Sequence, residues 1–317
     1  MNTKNRKLEL VFIMILGLLV FIAPLFYSDL YFLSLMIKMA LACLITLGLR
    51  LIFLTGQLNM GHAAFMGLGA YVSALTSLNL GLPVWMAMLL GGSVSALIAA
   101  PIGFVTLRIK GAYFAIVSMG LGEIIRLIYT RWEGLFGGAS GVFGIPAPII
   151  PISGAPFSGK IHYYYLIFFL LFLVFLAVRR IETSRLGLLF KAISLNDDLT
   201  RSVGVNIMNV KVISFCLGSF IAGIGGAYYA HYLLFISPND FSFWTSANYI
   251  LYIVVGGVGN FYGALLGPVF LIGLGDLLIS LREYVPLVFG IVLIAIMKFR
   301  PGGLTELSAQ IWNKISR

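Results

Sequence analysis

The sequence predicts an all-α integral membrane protein that crosses the bilayer about ten times. Of its 317 residues, 60% are hydrophobic and only 10% are charged, and its mean hydropathy is +1.03. Soluble globular proteins carry about 25% charged residues, so a water-facing fold of this chain would expose large apolar patches. The apolar residues also form runs of about 20, which is the length that spans the hydrocarbon core of a bilayer. Lipid is therefore the solvent for most of this surface.

Ten apolar runs, separated by polar connections, define one transmembrane domain over residues 1–317. The first run could also be a cleaved signal peptide, but it has no clear small-residue cleavage site, and we interpret it as a helix. The predicted helices cover 8–27, 31–54, 62–79, 83–107, 112–129, 162–179, 211–235, 246–258, 263–281 and 285–299.

The positions of Lys and Arg predict the orientation of the chain. With the N-terminus inside, 16 of the 21 Lys and Arg residues fall in connections on that side, and 3 fall on the other side. Positive residues are retained on the cytoplasmic side of a membrane, so both termini are predicted to be cytoplasmic. The same distribution explains the net charge of +10 without a nucleic-acid partner, since no basic run contains interleaved aromatic residues.

Two connections are long enough to have a structure of their own. The outer one, about 130–161, is rich in Gly and Pro and predicts an irregular external cap. The inner one, about 180–210, has helical composition and ends at Gly204, a residue typical of helix C-termini. We expect a helical hairpin over about 184–204 at the cytoplasmic face.

Two glycine-rich stretches, 56–67 and 256–267, share Gly, Ala and Gly at matching positions with an offset of 200 residues. We place each stretch between the second and third helix of a five-helix half, which predicts an inverted repeat. Short, Gly-interrupted segments at corresponding positions are typical of transporter pathways. The same stretches equally fit plain cytoplasmic turns. The candidate pathway residues are Gly56, Gln57, Asn59, Gly61 and His62 in the first stretch and Gly256, Gly257, Gly259 and Asn260 in the second.

Small residues recur every fourth position on the predicted seventh helix, at Gly218, Ala222, Gly226 and Ala230. Small side chains at this spacing let the backbones of two membrane helices approach closely. We interpret this pattern as a packing feature without a further function.

Glu123 and Arg126 are ionisable residues inside the predicted fifth helix. They are three positions apart, so they lie on one face and can form an ion pair. Charged side chains at bilayer depth are costly and often functional, which makes the pair a candidate gate. A structural pair that neutralises itself explains the same spacing.

The sequence contains no motif of an enzyme that hydrolyses ATP or uses a metal. It lacks both Gly-x-x-x-x-Gly-Lys-Ser/Thr and His-Glu-x-x-His, and its two cysteines have no partner at metal-ligand spacing. Gly138-Ala-Ser-Gly141 has the form of the serine motif of rhomboid intramembrane proteases, with His162 or His231 as the base. However, its serine falls in the extended outer loop, so we expect neither catalytic residues nor a metal site.

Several stretches resemble the signatures of a known transporter family. Gly56-Gln-Leu-Asn-Met-Gly-His-Ala-Ala-Phe-Met-Gly-Leu-Gly-Ala-Tyr71 closely resembles the hallmark of the LivM and LivH permeases of branched-chain amino acid ABC importers. Further similar stretches follow in order: Gly122-Glu-Ile-Ile-Arg126, Gly137-Gly-Ala-Ser-Gly141, Gly144-Ile-Pro146, Ser184-Arg-Leu-Gly187 and Val255-Gly-Gly-Val-Gly259. The resemblance covers about residues 30–305. Asn59, where a serine is usual, and Leu199-Thr-Arg201, in place of an Ala-rich turn, depart from the pattern.

The resemblance implies a type II-like ABC importer permease in a bacterial inner membrane, working by alternating access. Its partners would be a LivH-like second permease, two cytoplasmic subunits that bind the ATP, and an external substrate-binding protein. The chain itself would then hold no cofactor. Urea and short-amide importers use very similar permeases and remain an alternative. An ion-coupled secondary transporter is an alternative from another class, although such a protein would have more intramembrane carboxylates.

The resemblance also implies that the hairpin at 184–204 is the element that docks into the ATPase. A rigid charged helix suits an interface that carries nucleotide-driven motion. The candidate coupling residues are Arg185, Gly187, Lys191, Asp197, Asp198 and Gly204.

Overall fold

The computed structural model describes Pro24 and residues 29–150, 154–278, 284–299 and 302–306. This part of the chain is helical apart from one two-stranded sheet and short turns. In chain order the elements are α1 (Leu30–Phe53), α2 (His62–Leu80), α3 (Val84–Thr106), α4 (Ala112–Arg131), α5 (Glu133–Phe136), β1 (Val142–Phe143), α6 (Lys160–Glu182), α7 (Arg185–Leu195), α8 (Asp197–Ser202), α9 (Ile207–Leu233), β2 (Phe235–Ile236), α10 (Phe243–Gly256), α11 (Gly263–Leu277) and α12 (Val285–Phe299). Short 3₁₀ turns lie at Gly138–Ser140 and Pro238–Phe241.

Six of the described helices are long and apolar enough to cross a membrane: α1, α2, α3, α4, α6 and α9. Their predicted bounds agree with the structure to within four residues. The helices α10, α11 and α12 are apolar but have only 14, 15 and 15 residues. The predicted first helix, 8–27, lies outside the described residues except for Pro24. Ten crossings therefore stay a prediction, whereas a multi-pass bundle is confirmed.

Local signals explain where the main helices begin and end. Asp29 caps α1 by accepting a hydrogen bond from Tyr31 N at 3.3 Å, and Asn206 caps α9 in the same way from Asn209 N at 3.2 Å. Gly81 ends α2 in the left-handed conformation with φ 61°, which glycine adopts without strain. Local sequence thus determines where these helices begin and end. It thereby also sets the depth in the bundle of the buried polar residues described below.

The core of the bundle is α9, which packs against α1, α2 and α3 through glycines. A Cβ built on Gly218 would lie 2.7 Å from the Gly48 carbonyl oxygen of α1. A Cβ on Gly226 would overlap the Met66 carbonyl oxygen of α2, and one on Gly69 would overlap the backbone of Gly223. The small-residue pattern of the seventh predicted helix is therefore confirmed as a packing feature, because no larger residue fits at these crossings.

One end of the bundle gathers the connections that carry Arg108, Lys110, Arg185, Lys191 and Arg201, and we call it the basic end. It comprises the connections 54–61, 107–111, 183–206 and 257–262. Contacts between them define this grouping: Gly56 lies against Ser194, and Lys110 pairs with Asp197. The helices α7 and α8 lie here, over the span for which a helical hairpin was predicted.

The opposite end carries the cap predicted over about 130–161. β1 pairs antiparallel with β2, with Val142 opposite Ile236 and Phe143 opposite Phe235. The cap rests on the helices through Ile145 N, which donates to the Leu234 carbonyl oxygen at 3.3 Å. It is thus ordered but mostly irregular, as its Gly and Pro content predicts.

The positional basis of the predicted repeat is wrong. The stretch 56–67 connects α1 to α2, whereas 256–267 connects α10 to α11. Counting the membrane helices of the second half from α6, this is the third-to-fourth connection rather than the second-to-third. The segment that follows the second helix of that half is instead 234–242, between α9 and α10. An inverted repeat as such stays a prediction.

Candidate functional site

The connection between α1 and α2 enters the bundle instead of turning at its surface. Gly56, with φ 75°, is exposed beside α7, and the next residues leave the helical conformation. Gln57, Asn59 and His62 are nevertheless 2%, 0% and 0% exposed. Non-helical backbone at membrane depth is tolerated only where protein or water satisfies its polar groups. We call residues 57–62 the α1–α2 break.

The depth of the break follows from its contacts. His62 Nε2 lies 3.3 Å from the carbonyl oxygen of Ile45, which is eight residues before the end of α1. At a rise of ~1.5 Å per residue, α2 therefore starts about 12 Å inside the basic end. Ser246, in the first turn of α10, accepts a hydrogen bond from Ala63 N at 2.9 Å. The N-termini of α2 and α10 thus meet inside the bundle.

Hydrogen bonds hold the backbone of the break in place. Asn59 Oδ1 accepts from Gly61 N at 3.0 Å, and Ser118 Oγ of α4 accepts from Met60 N at 3.0 Å. The helix α4 also lies very close, because a Cβ on Gly122 would be 2.9 Å from Gly61 Cα. The break is therefore fixed by α4 as well as by α1 and α10.

Three buried polar atoms in the break have no hydrogen-bond partner among the described residues: Gln57 Oε1, Asn59 Nδ2 and His62 Nδ1. Asn59 also lines a small internal cavity of about 10 Å³. The other lining residues are Phe65, Ile102, Thr106, Ser118, Leu121, Gly122 and Phe215. Buried polar atoms are nearly always paired in proteins, so three within six residues require an explanation.

The second predicted pathway stretch lies elsewhere. Gly256 and Gly257 are buried at the end of α10, but Gly259 and Asn260 are exposed at the basic end. Asn260 Oδ1 accepts from Tyr262 N at 3.2 Å, which is a local turn contact. The structure therefore places the second stretch in a surface turn, and the two stretches are linked only indirectly.

An ion pair that was not predicted from the sequence connects the second stretch to α1. Arg50, 1% exposed, donates to both carboxylate oxygens of Glu182, from Nε at 3.1 Å and from Nη2 at 2.9 Å. Its Nη1 donates to the carbonyl oxygen of Val258 at 2.9 Å, in the second stretch. Lys191 of α7 lies 3.1 Å from the same carboxylate. This Arg50–Glu182 cluster joins α1, α6, the hairpin and the connection before α11. The two members are 132 residues apart, so no local spacing could reveal them.

The hairpin exposes some of the predicted coupling residues and holds others against the bundle. Arg185 and Asp198 are exposed, as an interface would require. Gly187, by contrast, is buried where a Cβ would overlap Glu182, and Lys191 faces the Arg50–Glu182 cluster. Gly204 ends the hairpin in a turn with φ 84°.

Four aliphatic residues that the prediction missed are also exposed on the hairpin. They are Leu188, Leu195, Leu199 and Val203, with exposures of 65%, 86%, 68% and 74%. A cluster of apolar side chains on a polar surface is typical of a protein–protein contact.

Asp197 also points inward, not toward a partner. Its carboxylate lies 2.9 Å from Lys211 of α9 and 2.9 Å from Lys110, before α4. Burial raises the pKa of Asp197, but the two lysines outweigh it and hold this pKa below its usual range. The same carboxylate raises the pKa of Lys110. Asp197 therefore fastens the hairpin to the bundle as an anion.

The predicted pair on α4 forms. Arg126 Nη2 lies 2.5 Å from Glu123 Oε1, and Arg126 Nη1 donates to Asn239 Oδ1 at 3.3 Å. Yet the Glu123 side chain is 40% exposed, on the same face of α4 as Gly120 and Leu127. The pair thus lies on an open side of the bundle and not in its interior.

Comparison with known proteins decides the family. The model of the branched-chain amino acid transport system permease component matches residues 31–297, nearly the whole described chain. The chain belongs to this permease family. It is 30% identical to the high-affinity branched-chain amino acid transport system permease protein LivM of Salmonella typhimurium, over 83% of this chain and 67% of that protein. It is 29% identical to LivM of Escherichia coli with the same coverage. It is 25% identical to the autoinducer 2 import system permease protein LsrC of an Enterobacter species, over 88% of this chain and 81% of that protein. No solved structure matches the chain.

In the part of the chain that the structure describes, the serine of the motif at 138–141 is not paired with His231. Ser140 is exposed in the cap, whereas His231 binds Ser73 of α2, with Nε2 2.8 Å from Oγ. His231 Nδ1 lies 2.8 Å from the carbonyl oxygen of Pro146, so Nδ1 carries the proton and Ser73 donates to Nε2. Since Ser73 is 0% exposed, this buried pair fastens the cap to the helices.

Proposed function

We propose that this permease is the transmembrane subunit of an ATP-binding cassette importer that moves branched-chain amino acids by alternating access. The observation that carries the proposal is the family match over residues 31–297, which is supported by similarity to two LivM proteins. The basic end would face the cytoplasm, together with both termini, because basic connections are retained there. The capped end would then receive an external substrate-binding protein.

The hairpin supports a cytoplasmic ATPase partner. Its aliphatic residues, foremost Leu195 and Leu199, project from α7 and α8 at the basic end with Asp198 beside them. The hairpin is fastened to the bundle through Asp197 and Lys191, so that a displacement would move α1, α6 and α9 as well. ATP would be bound by the ATPase subunits.

The exposed pair on α4 supports a second permease subunit. Glu123 lies about 17 Å from the start of a helix of about 30 Å, at the depth of the hydrocarbon core. A carboxylate that faces lipid at this depth is costly. We therefore propose that the face with Gly120, Glu123 and Leu127 packs against a related permease, and that this contact borders the pathway.

Uptake by the whole importer tests the proposal. The permease would be co-expressed with the products of neighbouring genes, reconstituted in vesicles and supplied with labelled leucine. We expect uptake that needs ATP, the binding protein and this chain together. ATP-dependent uptake of urea or a short amide would replace the substrate, and uptake by this chain alone with an ion gradient would overturn the proposal.

A matched pair of variants tests the docking surface. Leu199→Asp should reduce co-purification of the ATPase roughly tenfold or more, because it puts a charge at the centre of an apolar contact. Leu80→Asp is the control, since Leu80 is 69% exposed against 68% for Leu199 but lies at the end of α2 opposite the hairpin. Equal amounts of bound ATPase in both variants would exclude the hairpin as the docking surface.

A further inference from the structure

Two helix N-termini meet inside the bundle, at the α1–α2 break. The helix α2 begins about 12 Å inside the basic end, and the first turn of α10 contacts it through Ser246. Helix N-termini carry a partial positive charge that favours anions. In membrane transporters, helices that begin within the bilayer place this charge next to a bound carboxylate. Helix N-termini alone do not identify a ligand site, but the side chains beside them indicate which ligand would fit.

The three unpaired atoms of the break divide into one donor and two acceptors. Asn59 Nδ2 can only donate, and Gln57 Oε1 can only accept. The carbonyl oxygen of Ile45 also can only accept, so the His62 Nε2 beside it carries the proton. The unpaired Nδ1 of His62 is then an acceptor. One donor and two acceptors match the carboxylate and the ammonium group of an amino acid.

The cavity next to these polar atoms is lined mainly by apolar side chains. Asn59 lines it together with Phe65 of α2, Ile102 of α3, Leu121 of α4 and Phe215 of α9. The hydroxyl groups at its edge are occupied, because Ser118 donates to the Ala115 carbonyl oxygen and Thr106 to that of Ile102. A ligand in this space would therefore meet the Asn59 amide and hydrocarbon.

The volume of about 10 Å³ is enough for roughly one water molecule and too small for an amino acid. Gly122 of α4 lines the cavity and lies close to Gly61 of the break. Admission of a side chain would require α4 to move away from the break. The structure thus shows the site closed.

We infer that the α1–α2 break holds the amino-acid substrate during translocation. The Asn59 amide binds the carboxylate next to the N-terminus of α2, Gln57 Oε1 and His62 Nδ1 accept from the ammonium group, and the cavity beside Asn59 receives the branched side chain. This inference rests on the proposed function, since it names where the proposed substrate is held.

Asn59→Asp tests the inference with a minimal change. The variant keeps Oδ1, which the turn at Gly61 N needs, but replaces the free donor by a negative charge that repels a carboxylate. In the reconstituted importer we expect leucine uptake to fall about 10- to 100-fold, the range for a lost hydrogen bond to a charged group. The ATPase should still co-purify with the variant. Since uptake falls while the ATPase stays bound, more ATP should be hydrolysed per leucine transported.

Ser77→Ala is the matched control. Ser77 is also on α2, is 6% exposed, and its hydroxyl is likewise unpaired among the described residues, but it lies near the other end of the helix. We expect its uptake to stay within twofold of wild type. Equal uptake by Asn59→Asp and Ser77→Ala would overturn the inference. A loss of assembled importer with unchanged uptake per complex would do the same, because it indicates that Asn59 supports the fold and does not bind the substrate.

His62→Gln decides the matter if Asn59→Asp does not assemble. Its side-chain amide can still donate to the Ile45 carbonyl oxygen, but the acceptor Nδ1 is lost. Uptake per assembled importer should fall about tenfold, and unchanged uptake would overturn the inference. Failure of the proposed function is recognised separately, because wild type would then show no ATP-dependent leucine uptake.

Discussion

Two arginine–glutamate pairs of this permease have the same chemistry and opposite surroundings. Arg50 and Glu182 are 1% and 9% exposed, come from different helices, and share their hydrogen bonds with Lys191 and the Val258 carbonyl. Arg126 and Glu123 are 21% and 40% exposed and lie one turn apart on the same helix. The first pair depends on the assembled fold, whereas the second can form in an isolated helix.

The difference has an energetic consequence. A buried pair adds little net stability over apolar residues, but loss of one partner leaves the other charge buried and uncompensated. The Glu123–Arg126 pair is not enclosed by the fold, so the Arg126 side chain can extend toward the membrane surface when its partner is removed, and the loss should be smaller. The burial of a pair, and not its residue types, should therefore decide how much stability a substitution costs.

The largest effect is expected for Glu182→Ala. It leaves Arg50 buried without its carboxylate, so the free energy of unfolding should fall by about 3–5 kcal/mol. Thermal unfolding of the purified permease in detergent measures this. Glu133→Ala is the control, because Glu133 is exposed in the cap. Equal melting temperatures for the two variants would show that the buried pair does not support the fold.

The double variant Arg50→Met with Glu182→Leu sharpens this result. It removes both charges and keeps apolar volume, so most of the lost stability should return. If the double variant is less stable than Glu182→Ala, the cluster contributes more than charge compensation.

An intermediate effect is expected for Asp197→Asn, because one of its lysine partners is buried and the other is exposed. The loss should be about 1–3 kcal/mol, the range for hydrogen bonds to charged groups. The folded-state pKa of Asp197 lies below its usual value of 3.8. The stability difference between wild type and variant is therefore full at neutral pH and disappears as the pH falls through 3.8 and below. Unfolding measured from pH 7 to pH 3 checks this, and a pH-independent difference would contradict it.

The smallest effect on stability is expected for Glu123→Gln, because the remaining Arg126 charge is not enclosed by the fold. Transport is the informative measurement here. Glu123→Gln leaves the Arg126 charge uncompensated at a proposed subunit contact, so it should reduce uptake more than Glu123→Gln combined with Arg126→Met. Identical uptake by the single and double variants would show that the two residues are not coupled.

The same contrast explains what could be predicted from sequence. Apolar runs fix α1 to α4 within two residues because hydropathy and capping are local, and the Glu123–Arg126 spacing is local as well. The Arg50–Glu182 pair could not be predicted, because its two residues lie on helices that are far apart in sequence.

The hairpin could be predicted only in part from the sequence. Its two helices could be predicted from composition, but not which of its residues face outward. Asp197 and Asp198 are neighbours, yet one is bound to lysines of the bundle and the other is exposed. The glycine stretches were equally ambiguous: one enters the bundle and the other turns at its surface.

The glycine contacts between α9 and its neighbours have a mechanical consequence. Where Gly218 meets Gly48, and Gly226 meets Met66, a Cβ would run into a backbone oxygen, so the two backbones lie too close for a side chain to fit between them. Close-packed surfaces of this kind hold one arrangement or switch to another, but do not deform gradually. The four helices α1, α2, α3 and α9 should therefore travel as one piece.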